Sequence, residues 1–204
     1  MRNYGKILQM LAFAAMFVIA PGFAQNVIAQ QVATNDAAAS DSAGPSGVQV
    51  GKTYTREVHG DWELRCVRTE DARDPCQLYQ LMRDAEGNSV AEITLFEFPA
   101  GQEAVAGATL AVPLGTLLTR QITIQVGAGA AKRYPFSWCA TQGCYARIGL
   151  TDEDLATYKR GLTAKVIIVP FSAPNAPVEL KLSLIGFTTG FAAVRANNLV
   201  IARK

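Results

Sequence analysis

KRYPFSWCATQGCYARIGLTDEDL, residues 132–155, is the stretch whose reading decides the fold. Tyr134, Phe136 and Trp138 fall on every second residue, so a strand would place all three on one face, and alternation predicts that this face is core. Ala140-Thr141-Gln142-Gly143 carries turn chemistry. Cys144, Ala146, Ile148 and Leu150 then alternate on the way back. The result is a β-hairpin with Cys139 and Cys144 at the lips of its turn, close enough for a cross-strand bridge. Thr151 follows as a helix N-cap, and Asp152, Glu153 and Asp154 occupy the first turn, where the helix dipole favours negative charge. Leu150 and Leu155 stand at the positions of a hydrophobic staple. Lys159 and Arg160 close the helix, with Gly161 as its C-cap.

Outward from this hairpin, the chain begins with a segment of a different kind. Arg2 and Lys6 precede an uncharged run, Ile7–Ala20, that ends in Pro21-Gly22-Phe23-Ala24. This predicts a secretory signal peptide over residues 1–24, with Ala29 as the alternative cleavage point. The run is short of the roughly 20 apolar residues a membrane span needs, so no integral span is expected after cleavage. A flexible Ala/Ser/Asp/Gly-rich leader is expected over 25–51, one domain over 52–195 and a short tail over 196–204. The full chain has 19 Lys and Arg against 17 Asp and Glu. Losing Arg2 and Lys6 makes the mature protein near neutral, which argues against nucleic acid as a partner.

The four cysteines of an exported chain predict disulfides. Neither Cys66-x9-Cys76 nor Cys139-x4-Cys144 has the spacing of a zinc or thioredoxin-like site. Cys66–Cys76 and Cys139–Cys144 is the expected pairing, because each pair spans one hairpin. A link from the Cys66 hairpin to the central one, across a sandwich core, is the alternative.

The remaining segments predict short strands. Tyr54–Val58 leads through His59-Gly60 into Asp61–Cys66, where Trp62, Leu64 and Cys66 share the inner face. Cys76–Met82 and Val90–Phe98 follow, then Thr109–Leu114 and Ile122–Val126. Lys165–Val169 is apolar on both faces, which suits a strand inside a sheet. Val178–Leu184 alternates, with Glu179, Lys181 and Ser183 outward. Phe187, Phe191 and Val194 have helical spacing, so Gly186–Arg195 is expected to be a short amphipathic helix covering one end of the core, and Asn197–Lys204 is expected to fray. The fold class is all-β: a single-domain antiparallel β-sandwich of about nine or ten strands, with one or two short helices and two disulfides.

Chemistry is sparse. His59 is the only histidine, read as a turn residue, so Ser-His, Cys-His and two-histidine metal mechanisms have at most one starting point. No phosphate-loop, dinucleotide or metalloprotease motif occurs. Glu70-Asp71-x-x-Asp74 reads as a solvated acidic loop rather than a calcium site. No catalytic residue, cofactor or metal is expected. Arg133, Tyr145 and Arg147 are the candidates for a surface with a role.

Gly60-Asp61-Trp62-Glu63-Leu64-Arg65-Cys66, Pro75-Cys76-Gln77-Leu78, Val112-Pro113-Leu114-Gly115, Arg133-Tyr134-Pro135-Phe136, Cys139–Arg147, Gly149–Asp152 and Ser183–Phe187 together resemble the invasion-associated locus B family of exported bacterial proteins. The resemblance covers residues 52 to about 194. It implies a periplasmic or surface-associated protein that contributes to entry into host cells. It also implies no catalytic residue, since the shared positions are folding residues. The partner so implied is an envelope or host-surface protein or glycan. A binding module for a small molecule or glycan is the alternative.

Overall fold

The structure, a computed structural model, describes residues 47–99 and 101–202. The expected signal peptide, both cleavage points and the leader up to residue 46 lie outside the described residues. Eleven strands and two α-helices follow in the order β1 Thr53–His59, β2 Trp62–Val67, β3 Cys76–Arg83, β4 Ser89–Glu97, β5 Ala106–Val112, β6 Ile122–Val126, β7 Lys132–Tyr134, β8 Trp138–Ala140, β9 Gly143–Leu150, α1 Asp152–Arg160, β10 Thr163–Ile168, β11 Val178–Ser183 and α2 Phe187–Ala202. A seven-stranded antiparallel sheet has the order β1-β2-β3-β4-β5-β9-β8, and a four-stranded one has the order β11-β10-β6-β7. The two sheets and both helices enclose one hydrophobic core.

Side-chain parity builds that core. In β2, Trp62, Leu64 and Cys66 point inward, each at most 1% exposed, as the alternation predicts. In β9, Cys144, Ala146, Ile148 and Leu150 do the same. β10 lies between β6 and β11, inside its sheet as expected; Ala164, Val166 and Ile168 face the core, while Lys165 is exposed and Ile167 half-buried on the outer face. The disulfides are Cys66–Cys76 and Cys139–Cys144, each joining directly facing residues on adjacent strands with Cα atoms 4.0 Å apart. The first is buried. Cys139 of the second lies on the exposed edge strand β8.

The start of α1 is a capping box. The Thr151 side chain accepts from the Asp154 backbone N–H, and the Asp154 carboxylate accepts from the Thr151 N–H. Leu150 and Leu155 are both buried beside it. Gly161 closes the helix for a different reason than a left-handed cap. Its φ is −74°, and a Cβ there would lie 2.7 Å from Leu184 Cδ1 and Val126 Cγ1. Packing, not backbone handedness, favours glycine here.

Three further expectations are corrected. Tyr134–Cys139 is not one strand: β7 ends at Tyr134 in the small sheet, and β8 begins at Trp138 in the large one. Pro135, which has no N–H for a ladder, begins the crossover, so the aromatic alternation runs across two sheets. Tyr134 and Phe136 are half-buried against the core, but Trp138 is 40% exposed. Ser183 is buried rather than outward. α2 does not stop near Arg195 but continues to Ala202, because Asn197 and Asn198 find partners. Asn197 Nδ2 donates to the Asp74 carbonyl at 2.9 Å, and Asn198 Nδ2 donates to the Cys76 carbonyl at 3.3 Å.

Two contacts join the layers. Trp62 Nε1 donates to the Ser183 carbonyl at 2.9 Å, and its ring meets Phe187 edge-on with centroids 5.5 Å apart. Gln80, on the inward parity of β3, accepts from the Ser183 N–H at 2.8 Å and donates to the Ser183 and Asp61 carbonyls at 3.1 Å. At the adjacent corner, Gly60 and Gly186 bring two backbones together. Gly186 has φ +85°, and a Cβ there would collide with the His59 carbonyl. Gly115 has nearly the same φ, +84°, with nothing within 4 Å of a Cβ.

Gly115→Ala therefore isolates the backbone cost of the left-handed conformation, about 1 kcal/mol. Gly186→Ala adds displacement of the β1–β2 turn, for about 3 kcal/mol in all. Urea unfolding of the two variants measures the difference; equal losses would show that the Gly60–Gly186 approach contributes nothing.

Candidate functional site

The outer face of the seven-stranded sheet sets aromatic and charged side chains side by side in two rows. Register places Leu81, Glu92, Ala111, Tyr145 and Trp138 in one row across β3, β4, β5, β9 and β8. The neighbouring row is Glu63, Tyr79, Thr94, Thr109 and Arg147. Small residues, Ala111, Thr94 and Thr109, form the middle of both rows, and large ones stand on either side. A shallow hollow of about 320 Å³ opens over Ala111, between Leu81 and Glu92 on one flank and Tyr145 and Gln142 on the other.

One wall is an aromatic–cation stack. Trp138 and Tyr145 are parallel, with centroids 4.9 Å apart and planes at 10°. The Arg147 guanidinium lies 4.9 Å from the Trp138 ring centroid. Directly facing positions of an antiparallel pair bring such rings together, and the guanidinium is attracted to the negative π-face. The other wall is a polar chain. Arg65 covers the Tyr79 ring at 3.2 Å and its Nε donates to Glu63 at 2.9 Å, while Tyr79 donates to Glu92 at 2.9 Å. Burial pushes the Tyr79 phenol above its usual range, with the hydrogen bond to Glu92 adding to it. The Glu63 carboxyl is held below its usual range by the hydrogen bond from Arg65, against an opposing effect of burial.

Of the three candidate surface residues, Tyr145 and Arg147 are brought together here, and Arg133 is not. Arg133 belongs to β7 in the other sheet, facing Thr123. Trp138, which alternation alone would place in the core, is instead part of this wall. Its position just after a proline-containing crossover is the signal that could have revealed it.

The other groups singled out have local partners. His59 ends β1, with Nε2 3.0 Å from Glu57 Oε2. The acidic loop is not simply solvated. Asp71 pairs with Arg73 at 2.6 Å, but the Asp74 side chain is fully buried. It accepts from Tyr54 at 2.6 Å and the Thr69 N–H at 2.8 Å, and lies 3.0 Å from Arg68 and 3.7 Å from Arg56. Among the described residues no group of three or more His, Cys, Asp or Glu is gathered as a metal site would need.

With this geometry in view, the comparisons decide the family. The profile described as Invasion associated locus B (IalB) protein matches residues 62–195. The chain belongs to the IalB family. Invasion protein B homologs of Brucella abortus, strains 2308 and biovar 1 (strain 9-941), are each 27% identical over 164 residues, covering 80% of this chain and 92% of theirs. The crystal structure of invasion associated protein B from Bartonella henselae has a similar fold, with TM-score 0.57 and 22% identity over 69% of this chain and 95% of that one. The IalB match begins at Trp62, the residue whose ring and indole N–H join the core to Ser183, and takes in both disulfides, Gln80 and the Trp138 wall.

Burial of Asp74 opposes its charged form, but the hydrogen bonds from Tyr54 and Thr69 and the charge of Arg68 outweigh it and lower its pKa. A depressed carboxyl pKa stabilises the fold above the unfolded value of about 3.9, and this is lost as pH falls through the folded value. Asp74→Asn is expected to cost about 3 kcal/mol at neutral pH, since it leaves buried arginine charge uncompensated. Thermal unfolding from pH 7 down to pH 2 should show the wild-type advantage shrinking below about pH 4. An advantage that grew with acidification would contradict the assignment.

Proposed function

We propose that this protein is an exported, non-enzymatic envelope factor that contributes to host-cell interaction, and that it works by recognition through the outer face of its large sheet. The observation that carries the reading is the Trp138–Tyr145–Arg147 stack. It presents a 40%-exposed tryptophan beside a hollow, on a rigid sheet fixed at its edge by the Cys139–Cys144 disulfide. Tryptophan, tyrosine and arginine are the residues that dominate binding energy at protein interfaces. Two disulfides suit an oxidising compartment, the periplasm or the cell surface. Relatives named as invasion proteins support the host-cell role. Among the described residues no helix is long and apolar enough to cross a membrane.

A second reading, a binding module for a small molecule or glycan, draws on the same hollow. Its floor at Ala111 leaves room beside Tyr145, the arrangement in which a sugar ring could lie against the tyrosine face.

Trp138→Ala removes the exposed ring and should lower unfolding free energy by no more than about 1 kcal/mol, since the residue lies outside the core. Binding of the exported protein to intact host cells, measured by flow cytometry, should fall at least about tenfold if Trp138 is an interface anchor. Unchanged cell binding would overturn the first reading. Calorimetric titration with oligosaccharides separates the second, which predicts a saturable signal that Trp138→Ala abolishes.

A further inference from the structure

The near-neutral total charge conceals a segregated one on the outer face of the four-stranded sheet. Register puts Glu179, Ile167, Thr123 and Arg133 in one row, and Lys181, Lys165 and Gln125 in the next. Lys165 and Lys181 are therefore directly opposed, a like-charge facing pair that costs stability. Glu179 is the one acid in these rows, and it pairs with Lys165 at 2.9 Å. Arg120, at the end of the 3₁₀ turn Leu118–Arg120, shares with Arg133 the wall of a polar hollow of about 510 Å³. Neither arginine has an acidic partner among the described residues. Four cations, Arg120, Arg133, Lys165 and Lys181, thus stand against one acid.

This basic face is bordered at one end by exposed apolar side chains. The segment Leu114–Leu118 pairs with Val169–Phe171 through the Leu117 N–H to the Val169 carbonyl and the Phe171 N–H to the Gly115 carbonyl, both at 2.7 Å. That pairing holds Leu114, Leu118 and Phe171 at 57%, 42% and 72% exposure, next to the hollow that Arg120 and Val169 line. Exposed apolar tips beside uncompensated cations are complementary to a negatively charged lipid surface. The cations meet headgroup phosphates, and leucine and phenylalanine enter the acyl boundary. A soluble polyanion would satisfy the arginines and leave Phe171 in water.

We propose that the outer face of the four-stranded sheet docks on anionic phospholipid membranes, with Arg120, Arg133, Lys165 and Lys181 facing the headgroups and Leu118 and Phe171 inserting. The face shares no residue with the Trp138 wall, which belongs to the other sheet.

Co-sedimentation of the exported protein with vesicles of phosphatidylcholine, alone or mixed with phosphatidylglycerol, tests this. Binding is expected to the mixed vesicles only and to weaken steeply with salt. Arg120→Gln with Arg133→Gln should lower partitioning roughly 25-fold, taking about fivefold per cation near the surface. Leu118→Ser with Phe171→Ser should weaken binding at low and high salt alike. All four residues are exposed or partly so, and circular dichroism confirms that the variants fold. Absence of binding to the mixed vesicles, equal binding to both vesicle types, or wild-type partitioning of the arginine variant would overturn the proposal. Retention on a sulfated oligosaccharide without vesicle binding would overturn it in favour of a glycan. Trp138→Ala should leave vesicle binding intact, which separates this result from the host-cell test.

Discussion

The two sheets depend on a small polar clamp inside a largely apolar core. Gln80 and Trp62, both from the large sheet, hold the backbone of Ser183 at the end of β11. Burying an amide without partners costs about 1–3 kcal/mol, so Gln80 is tolerable only because its oxygen and nitrogen both find backbone groups there. Hydrophobic contact between sheets is non-directional and would permit them to slide. A clamp with fixed donors and acceptors permits one registry. It also fixes the chain immediately before Gly186, and hence the point from which α2 leaves to cover β1–β4.

What could be read from the sequence was what local rules determine. Each hairpin that closes on itself was legible, and so were both disulfides, since facing cysteines flank a single short loop. The Thr151–Asp154 cap was legible because all its atoms lie within one turn. Alternation failed where the chain changes partner without changing rhythm. Tyr134, Phe136 and Trp138 keep a period of two while passing from one sheet to the other, and parity cannot reveal that the reference plane has changed. Ser183 and the length of α2 were invisible for a related reason. Their partners, Gln80, Asp74 and Cys76, are more than a hundred residues away. Gln80 itself had a readable sign, a polar residue on the inward parity of Cys76, Leu78 and Met82.

The candidate binding face was half legible. Tyr145 and Arg147 share a strand and a parity, so their neighbourhood follows from β9 alone. Arg133 is near them in sequence, yet the crossover at Pro135 places it on the other sheet. There it joins Arg120, Lys165 and Lys181 in a segregation of charge that a net count near zero hides. Composition averages over faces, and strand order distributes residues among them.

The β8 edge of the large sheet carries a consequence for assembly. β8 contributes only three residues, and Cys139 is tied to Cys144 on the strand beside it. A long open edge is a template on which another copy can add a strand, and short edges blunt that tendency. Here the terminal strand is too brief to template an extended partner and is covalently held from peeling away to expose β9. At this margin the molecule thereby presents aromatic rings without a long free row of peptide groups, so stickiness there is confined to side chains.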